Sequence, residues 1–297
     1  MALFHGLAAF PITPADEDGH VDVEALRGLV RRLVDARVDS IGLLGSTGTY
    51  AYLSRAERRR AIEVAVDEAG GKVPVMAGVG ALRTDEATAL AWDARQAGAE
   101  AGLLAPVSYT PLLDDEVFAH FQTVAGESEL PLCIYNNPGV THFTFSSDLI
   151  VRLSAVPGVV AVKNPAPAAD KVGAHLAELR ARVPAGFSLG YSGDANCPEA
   201  MIAGGDVWHS VLGGMFPKTA LAICHAAQSG DAAQARRLTA YIAPLMSMFP
   251  DLTGLRLAYA VANILGLTTA APPRPVLPLP DAARARVAAV VRSLELD

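Results

Sequence analysis

Lysine is nearly missing from this chain: Lys72, Lys163, Lys171 and Lys218 stand against twenty arginines in 297 residues. It is not the default surface filler here, so each lysine can be weighed singly. Cysteine is scarce too. Cys133, Cys197 and Cys224 are odd in number and far apart, which fits neither a disulfide scaffold nor a zinc site and points to a reducing compartment. No apolar run reaches the roughly 18 residues that a membrane helix needs. Charged residues make up only 19% against 51% hydrophobic, the balance of a folded globule and not of a disordered chain. Net charge is −7, and the one basic cluster, Arg58-Arg59-Arg60, falls in a helical stretch, so nucleic acid is not an expected partner. Met1 leads into Leu3-Phe4-His5-Gly6 with no basic leader and no small-residue cleavage site. A signal peptide is therefore not expected, and the expected location is the cytoplasm.

What the chain has is alternation. Short apolar runs read as strands over 7–12, 40–45, 73–79, 102–106, 131–135, 159–163, 187–191 and 207–212. Between them, helical periodicity covers 23–38, 54–68, 84–97, 114–125, 146–154, 169–183, 195–203 and 218–228. Asp22 stands at the start of the first helix. Ser54 reads as the N-cap of the second, with Glu57 completing a capping box. Strands alternating with helices predict a parallel sheet, and eight such units predict a closed (β/α)8 TIM barrel over residues 1–228. Residues 229–297 carry no strand and are expected to form additional C-terminal helices packed on the barrel. Pro272-Pro273-Arg274-Pro275 is a stiff break before a last helix over 282–294. A doubly wound sheet would want G-x-G-x-x-G after its first strand, and residues 7–20 lack it; Gly78-Val79-Gly80 is only a fragment. No phosphate-cradling G-x-x-x-x-G-K-[ST] occurs either.

Chemistry in such a barrel gathers at the C-terminal strand ends. Lys163 closes Val159-Val160-Ala161-Val162-Lys163, and burial there disfavours a charged amine while leaving a neutral one free to attack a carbonyl. Alone, it reads equally as a strand-end lysine whose amine snorkels to solvent. Strand two ends in Gly45-Ser46-Thr47-Gly48, whose hydroxyls and amides can hold a carboxylate or simply make a tight turn. Strand four leads to Ser108-Tyr109-Thr110-Pro111. Strand five ends at Tyr135, beside Lys163 on the neighbouring strand, where a phenol can shuttle protons for an imine-forming amine. His209 ends strand eight and can shape the pocket. His142 and His209 lack any metal-ligand spacing, so no metal is expected. Asp194, in Ser192-Gly193-Asp194, reads as the N-cap of the next helix. Gly204-Gly205 and Gly213-Gly214 are tight-loop glycines before they are a phosphate site.

Taken together, Gly45-Ser46-Thr47-Gly48, Tyr135-Asn136-Asn137-Pro138 and Lys163 resemble the dihydrodipicolinate synthase/N-acetylneuraminate lyase family. The likeness runs from Phe10-Pro11-Ile12-Thr13-Pro14 to the helical tail. It implies a class I Schiff-base lyase or aldolase, without cofactor, in a homotetramer built as a dimer of dimers. Lys163 would condense with pyruvate or another 2-keto acid, and Tyr135 would transfer protons. Ser46 and Thr47, with Gly48, would hold the carboxylate, and Thr47 would join the proton relay. Tyr109 would be the tyrosine donated across a subunit interface, with Ser108 competing for that place.

The chain departs from the family where the second substrate sits. Thr49 follows the Gly-x-x-Gly motif in place of glutamate, Val140 stands where synthases carry an arginine, and Asn164-Pro165 follow the lysine. A missing arginine removes a charge-assisted grip worth roughly 1.5–3 kcal/mol per hydrogen bond. The expected reaction is condensation of a 2-keto acid with an aldehyde or cleavage of the aldol. Dehydration of a 2-keto-3-deoxy sugar acid through the same imine, and a non-catalytic keto-acid-binding barrel, are the alternatives.

Overall fold

The computed structural model describes residues 4–296 of the chain. The reading of a missing leader rests partly on residues 1–3, which lie outside the described residues. Eight parallel strands close into a barrel in chain order: β1 (Gly6–Ala9), β2 (Ser40–Leu43), β3 (Val75–Gly78), β4 (Ala101–Leu104), β5 (Leu132–Tyr135), β6 (Val159–Pro165), β7 (Ser188–Ser192) and β8 (Val207–Ser210), with β8 paired to β1. The helices between them are α1 (Val23–Ala36), α2 (Arg55–Ala69), α3 (Thr84–Gln96), α4 (Asp114–Ser128), the single turn α5 (Pro138–Thr141), α6 (Ser147–Ser154), α7 (Val172–Arg180) and α8 (Cys197–Ile202). The fold is the predicted (β/α)8 barrel. After β8 come α9 (Val211–Met215), α10 (Pro217–Gln228), α11 (Ala232–Tyr241), α12 (Ala243–Met246), α13 (Phe249–Leu252), α14 (Gly254–Ile264) and α15 (Asp281–Leu294). Among the described residues no helix is long and apolar enough to cross a membrane.

Two cores hold the molecule. One lies between strands and helices, where Leu26, Leu29, Val30 and Leu33 of α1 illustrate the helical spacing that a buried stripe needs. The other fills the barrel, with Phe10, Met76, Leu103, Ala105, Cys133, Tyr135 and Ala161 packed across its axis. The C-terminal helices pack on the barrel: α11 lies on α10 and α14 on α9, and the Tyr259 hydroxyl on α14 donates to the Thr13 carbonyl after β1 at 3.0 Å.

Local readings differ from the structure in instructive places. Ser54 caps α2 by accepting from the Glu57 amide at 3.2 Å, but the Glu57 carboxylate does not close a capping box. It accepts instead from the Val21 amide at 2.7 Å, where the chain comes back over α2. Of the basic cluster, Arg58 is buried and donates to the carbonyls of Gly78 and Gly80, with burial pulling its guanidinium down to about 10. Arg59 and Arg60 pair with Glu63 and Glu57. The eighth strand stops at Ser210, not Leu212. The Ser210 hydroxyl accepts from the Gly213 amide at 2.7 Å and starts a helix instead. Gly213 and Gly214 sit in that helix, and a side chain at 214 would collide with the Phe10 carbonyl, so close packing explains Gly214.

Asp194 is not the cap of the next helix; Asn196 holds that place without a side-chain bond. The Asp194 carboxylate is buried and accepts from Trp208 Nε1, Ser210 Oγ and the Leu212 amide, each at 2.8 Å. It thereby ties the end of β7 to the end of β8. Burial pushes its carboxyl above the ordinary value, against these hydrogen bonds and the Lys163 charge. Replacing it strands three buried donors, each costing about 1–3 kcal/mol. Asp194→Ala should lower unfolding stability by at least about 3 kcal/mol. The check is a fall in the urea midpoint at unchanged slope, with partial recovery in Asp194→Asn.

Candidate active site

The site is built on a row that crosses three strands. Tyr135 on β5 pairs in register with Lys163 on β6, which pairs with Gly190 on β7. Side chains at paired positions of parallel strands share a face, and this face is the barrel interior. Lys163 is 5% exposed. Its amine nitrogen lies 3.8 Å from the centre of the Phe10 ring and 4.5 Å from that of Tyr135. Among the described residues no carboxylate forms an ion pair with it, and a side chain so buried does not snorkel to solvent. Aromatic faces are its neighbours.

Glycine makes that arrangement possible. A side chain at Gly42 or Gly45 would run into the Phe10 ring, and the ring would be driven from under the lysine. Nothing in the sequence reading singled out Phe10 as a site residue. Its place at the end of the first strand was the available signal.

The Tyr135 hydroxyl accepts from Asn137 Nδ2 at 2.9 Å and shares a hydrogen bond with Ser46 Oγ at 3.0 Å. Burial pushes the phenol up, but the Lys163 charge and these hydrogen bonds outweigh it and leave the phenol below its ordinary value. A phenol so placed can exchange protons with groups on the lysine nitrogen. The hydroxyl coupled to Tyr135 is therefore that of Ser46, not Thr47. The sequence order puts the two residues side by side, and only the turn geometry separates them. Thr47 is buried, at 5% exposure, and lines the same cavity.

The loop that carries these hydroxyls is strained. Leu44 and Thr49 bracket it with φ of 56° and 55°, a left-handed backbone that costs a leucine about 1–2 kcal/mol. Close approach explains why Leu44 holds it: a side chain at Gly78 would collide with the Leu44 carbonyl, and one at Gly48 would meet the Leu44 backbone. Thr253, which lines the same cavity, is strained differently, at φ 62° and ψ 148°, a region that side chains other than glycine rarely adopt.

The cavity has a volume of about 640 Å³. Ser46, Thr47, Tyr135, Lys163 and His209 line its floor, while Val107, Val140, Phe249, Leu255 and Val276 give it apolar walls. Val140 is half exposed on the turn α5, facing the space with no charge to offer. Thr49 is buried and lines the same cavity. Asn164 meets the Asn136 amide at 3.0 Å, leaving Asn136 Oδ1 and Asn164 Nδ2 without partners. Gly48 packs its backbone against that of Leu44. Tyr109 does not join the cavity within one chain: it is 98% exposed, and the adjacent Ser108 hydroxyl donates to the Thr110 carbonyl.

Comparison with known proteins agrees with this geometry along the whole chain. The model of the dihydrodipicolinate synthetase family matches residues 3–294. The chain is 36% identical over 287 residues to the 4-hydroxy-tetrahydrodipicolinate synthase of Thiobacillus denitrificans, which spans 96% of this chain and 95% of that one. The crystal structure of dihydrodipicolinate synthase from Agrobacterium tumefaciens has a TM-score of 0.96 at 54% identity, covering 98% of both chains. That from Aquifex aeolicus has 0.91 at 28%, covering 99% of both. The chain is a lyase and belongs to the dihydrodipicolinate synthetase family.

Proposed function

We propose that the chain forms a Schiff base with pyruvate or a closely related 2-keto acid and joins it to an aldehyde, or releases the two from their aldol. The observation that carries this reading is the Lys163 amine, buried at a barrel strand end, set against Tyr135 and in no ion pair with a carboxylate among the described residues. The neutral amine attacks C2 of the keto acid. Tyr135 passes protons as the carbinolamine forms and loses water, and Ser46 extends that relay through its hydrogen bond to the phenol. Thr47 and the turn at Gly48 hold the keto acid's carboxylate. The protonated imine then accepts the electron pair of a C3–H bond as C3 loses that proton, and the enamine so formed adds to the aldehyde carbon.

The apolar wall at Val140 supports an aldehyde that carries no anionic group on that side. The Thiobacillus relative is a 4-hydroxy-tetrahydrodipicolinate synthase, and valine at 140 in place of an arginine argues for a different aldehyde in this chain. The near-complete exposure of Tyr109, beside an exposed Leu113, supports the expectation that this segment serves a neighbouring subunit of a homotetramer.

Borohydride added with pyruvate should fix one reduced pyruvate on the peptide containing Lys163, read by mass spectrometry. An adduct that persists in Lys163→Ala, or none in the unaltered protein, would sink the imine reading. Val140→Arg should raise kcat/KM for an acidic aldehyde such as aspartate semialdehyde by about 10- to 100-fold and leave neutral aldehydes unchanged. Steady-state rates with both kinds of aldehyde make the comparison; equal gains would show that residue 140 does not read charge.

A further inference from the structure

One polar group in the barrel is left over by this chemistry. His209, on β8, is 2% exposed, and both ring nitrogens are buried without a hydrogen-bond partner. An imidazole always carries either one N–H and one lone pair or two N–H groups, so an unpartnered ring wastes two interactions at about 1–3 kcal/mol each. A leucine would fill the same space without that cost. The ring is nonetheless held with care. It packs edge-on against Phe10, with centroids 5.7 Å apart, and Phe10 is the ring on which the Lys163 amine rests. A side chain at Gly190 would collide with Nε2 and Cδ2 of His209, so the imidazole lies in the space that residue 190 vacates. Gly190 is the register partner of Lys163. The imidazole thus flanks the lysine on the β7 side, as Tyr135 flanks it on the β5 side, and all three line one cavity. Burial and then the Lys163 charge hold the imidazole well below its ordinary value, so it stands neutral, with a lone pair available.

We propose that His209 is the base that removes the C3 proton of the Lys163 imine, an assignment that rests on the imine reading above. Tyr135 has its hydroxyl committed to Ser46 and Asn137 and serves the nitrogen and C2 oxygen; His209 serves the carbon. The C3–H bond breaks and its proton goes to the free ring nitrogen. The imine reacts in its protonated (iminium) form: the released pair forms the C2–C3 double bond, and the C2–N π pair moves to the positively charged nitrogen, giving a neutral enamine and an imidazolium. When the enamine carbon bonds to the aldehyde carbon, the C=O π pair moves to oxygen. The imidazolium returns its proton to that oxygen, and the enamine nitrogen becomes the iminium again.

Two measurements on the same samples separate this step from imine formation. Borohydride trapping reads the imine. The loss of the pyruvate methyl proton signal in D2O without aldehyde reads C3 deprotonation. In His209→Leu and His209→Gln, trapping at Lys163 should persist while methyl exchange slows by about 100-fold or more. His209→Leu removes two partnerless polar atoms, so its fold, checked by circular dichroism, is expected to hold. Exchange at the unaltered rate in either folded variant overturns the proposal. So does parallel loss of trapping and exchange, which would mark His209 as support for the lysine, and so does failure of both variants to fold. Absence of trapping in the unaltered protein instead fails the imine reading itself.

Discussion

An amine resting on aromatic faces inside a closed barrel is the constraint from which much of this structure follows. Among the described residues no carboxylate forms an ion pair with Lys163, and its amine lies over the Phe10 and Tyr135 rings. Phe10 can lie beneath it because residues 42 and 45 are glycine, and the β7 side is open because residue 190 is glycine. Three absent side chains thus shape the floor of the cavity. The cost falls on the neighbouring turn, where Leu44 takes a left-handed backbone with its carbonyl hard against Gly78.

Polar groups near the lysine divide into those that hold the barrel and those that face the cavity. Asp194 lines the cavity, yet its carboxylate is spent on Trp208, Ser210 and Leu212 and acts as a clamp between β7 and β8. Ser46 and Asn137 are spent on orienting Tyr135. Thr47 keeps its side chain in the cavity wall. The apolar rim of Val107, Val140, Leu255 and Val276 comes from loops and from the C-terminal segment, so the chemistry and the choice of partner are carried by different parts of the chain.

Much of this was legible in the sequence. Buried parallel strands are short, apolar and bracketed by turn residues, so the eight-unit rhythm and the pairing of Tyr135 with Lys163 follow from order alone. Strand ends were less legible. Val211-Leu212 continues an apolar run, and only the Ser210 hydroxyl reaching the Gly213 amide turns it into a helix. Long-range partners were not legible at all. Asp194 finds its donors 14, 16 and 18 residues onward, and Glu57 meets Val21 across 36, distances at which local capping rules have no reach. Whether Ser46 or Thr47 touches the phenol depends on a turn with a left-handed residue at each end, which adjacent hydroxyl residues do not reveal.

The straight row of Tyr135, Lys163 and Gly190 also bears on how such a chain can diverge. A single inserted or deleted residue in β5, β6 or β7 would invert the inside–outside alternation of that strand, and in β6 it would turn the nucleophile toward the helices, so this row tolerates no drift in length. The turns at 138–141 and 268–280 carry no such parity. They can lengthen, shorten or exchange residues while the row stays in place. Selection on this scaffold can therefore rewrite which aldehyde is met without touching the atoms that make or break the bond.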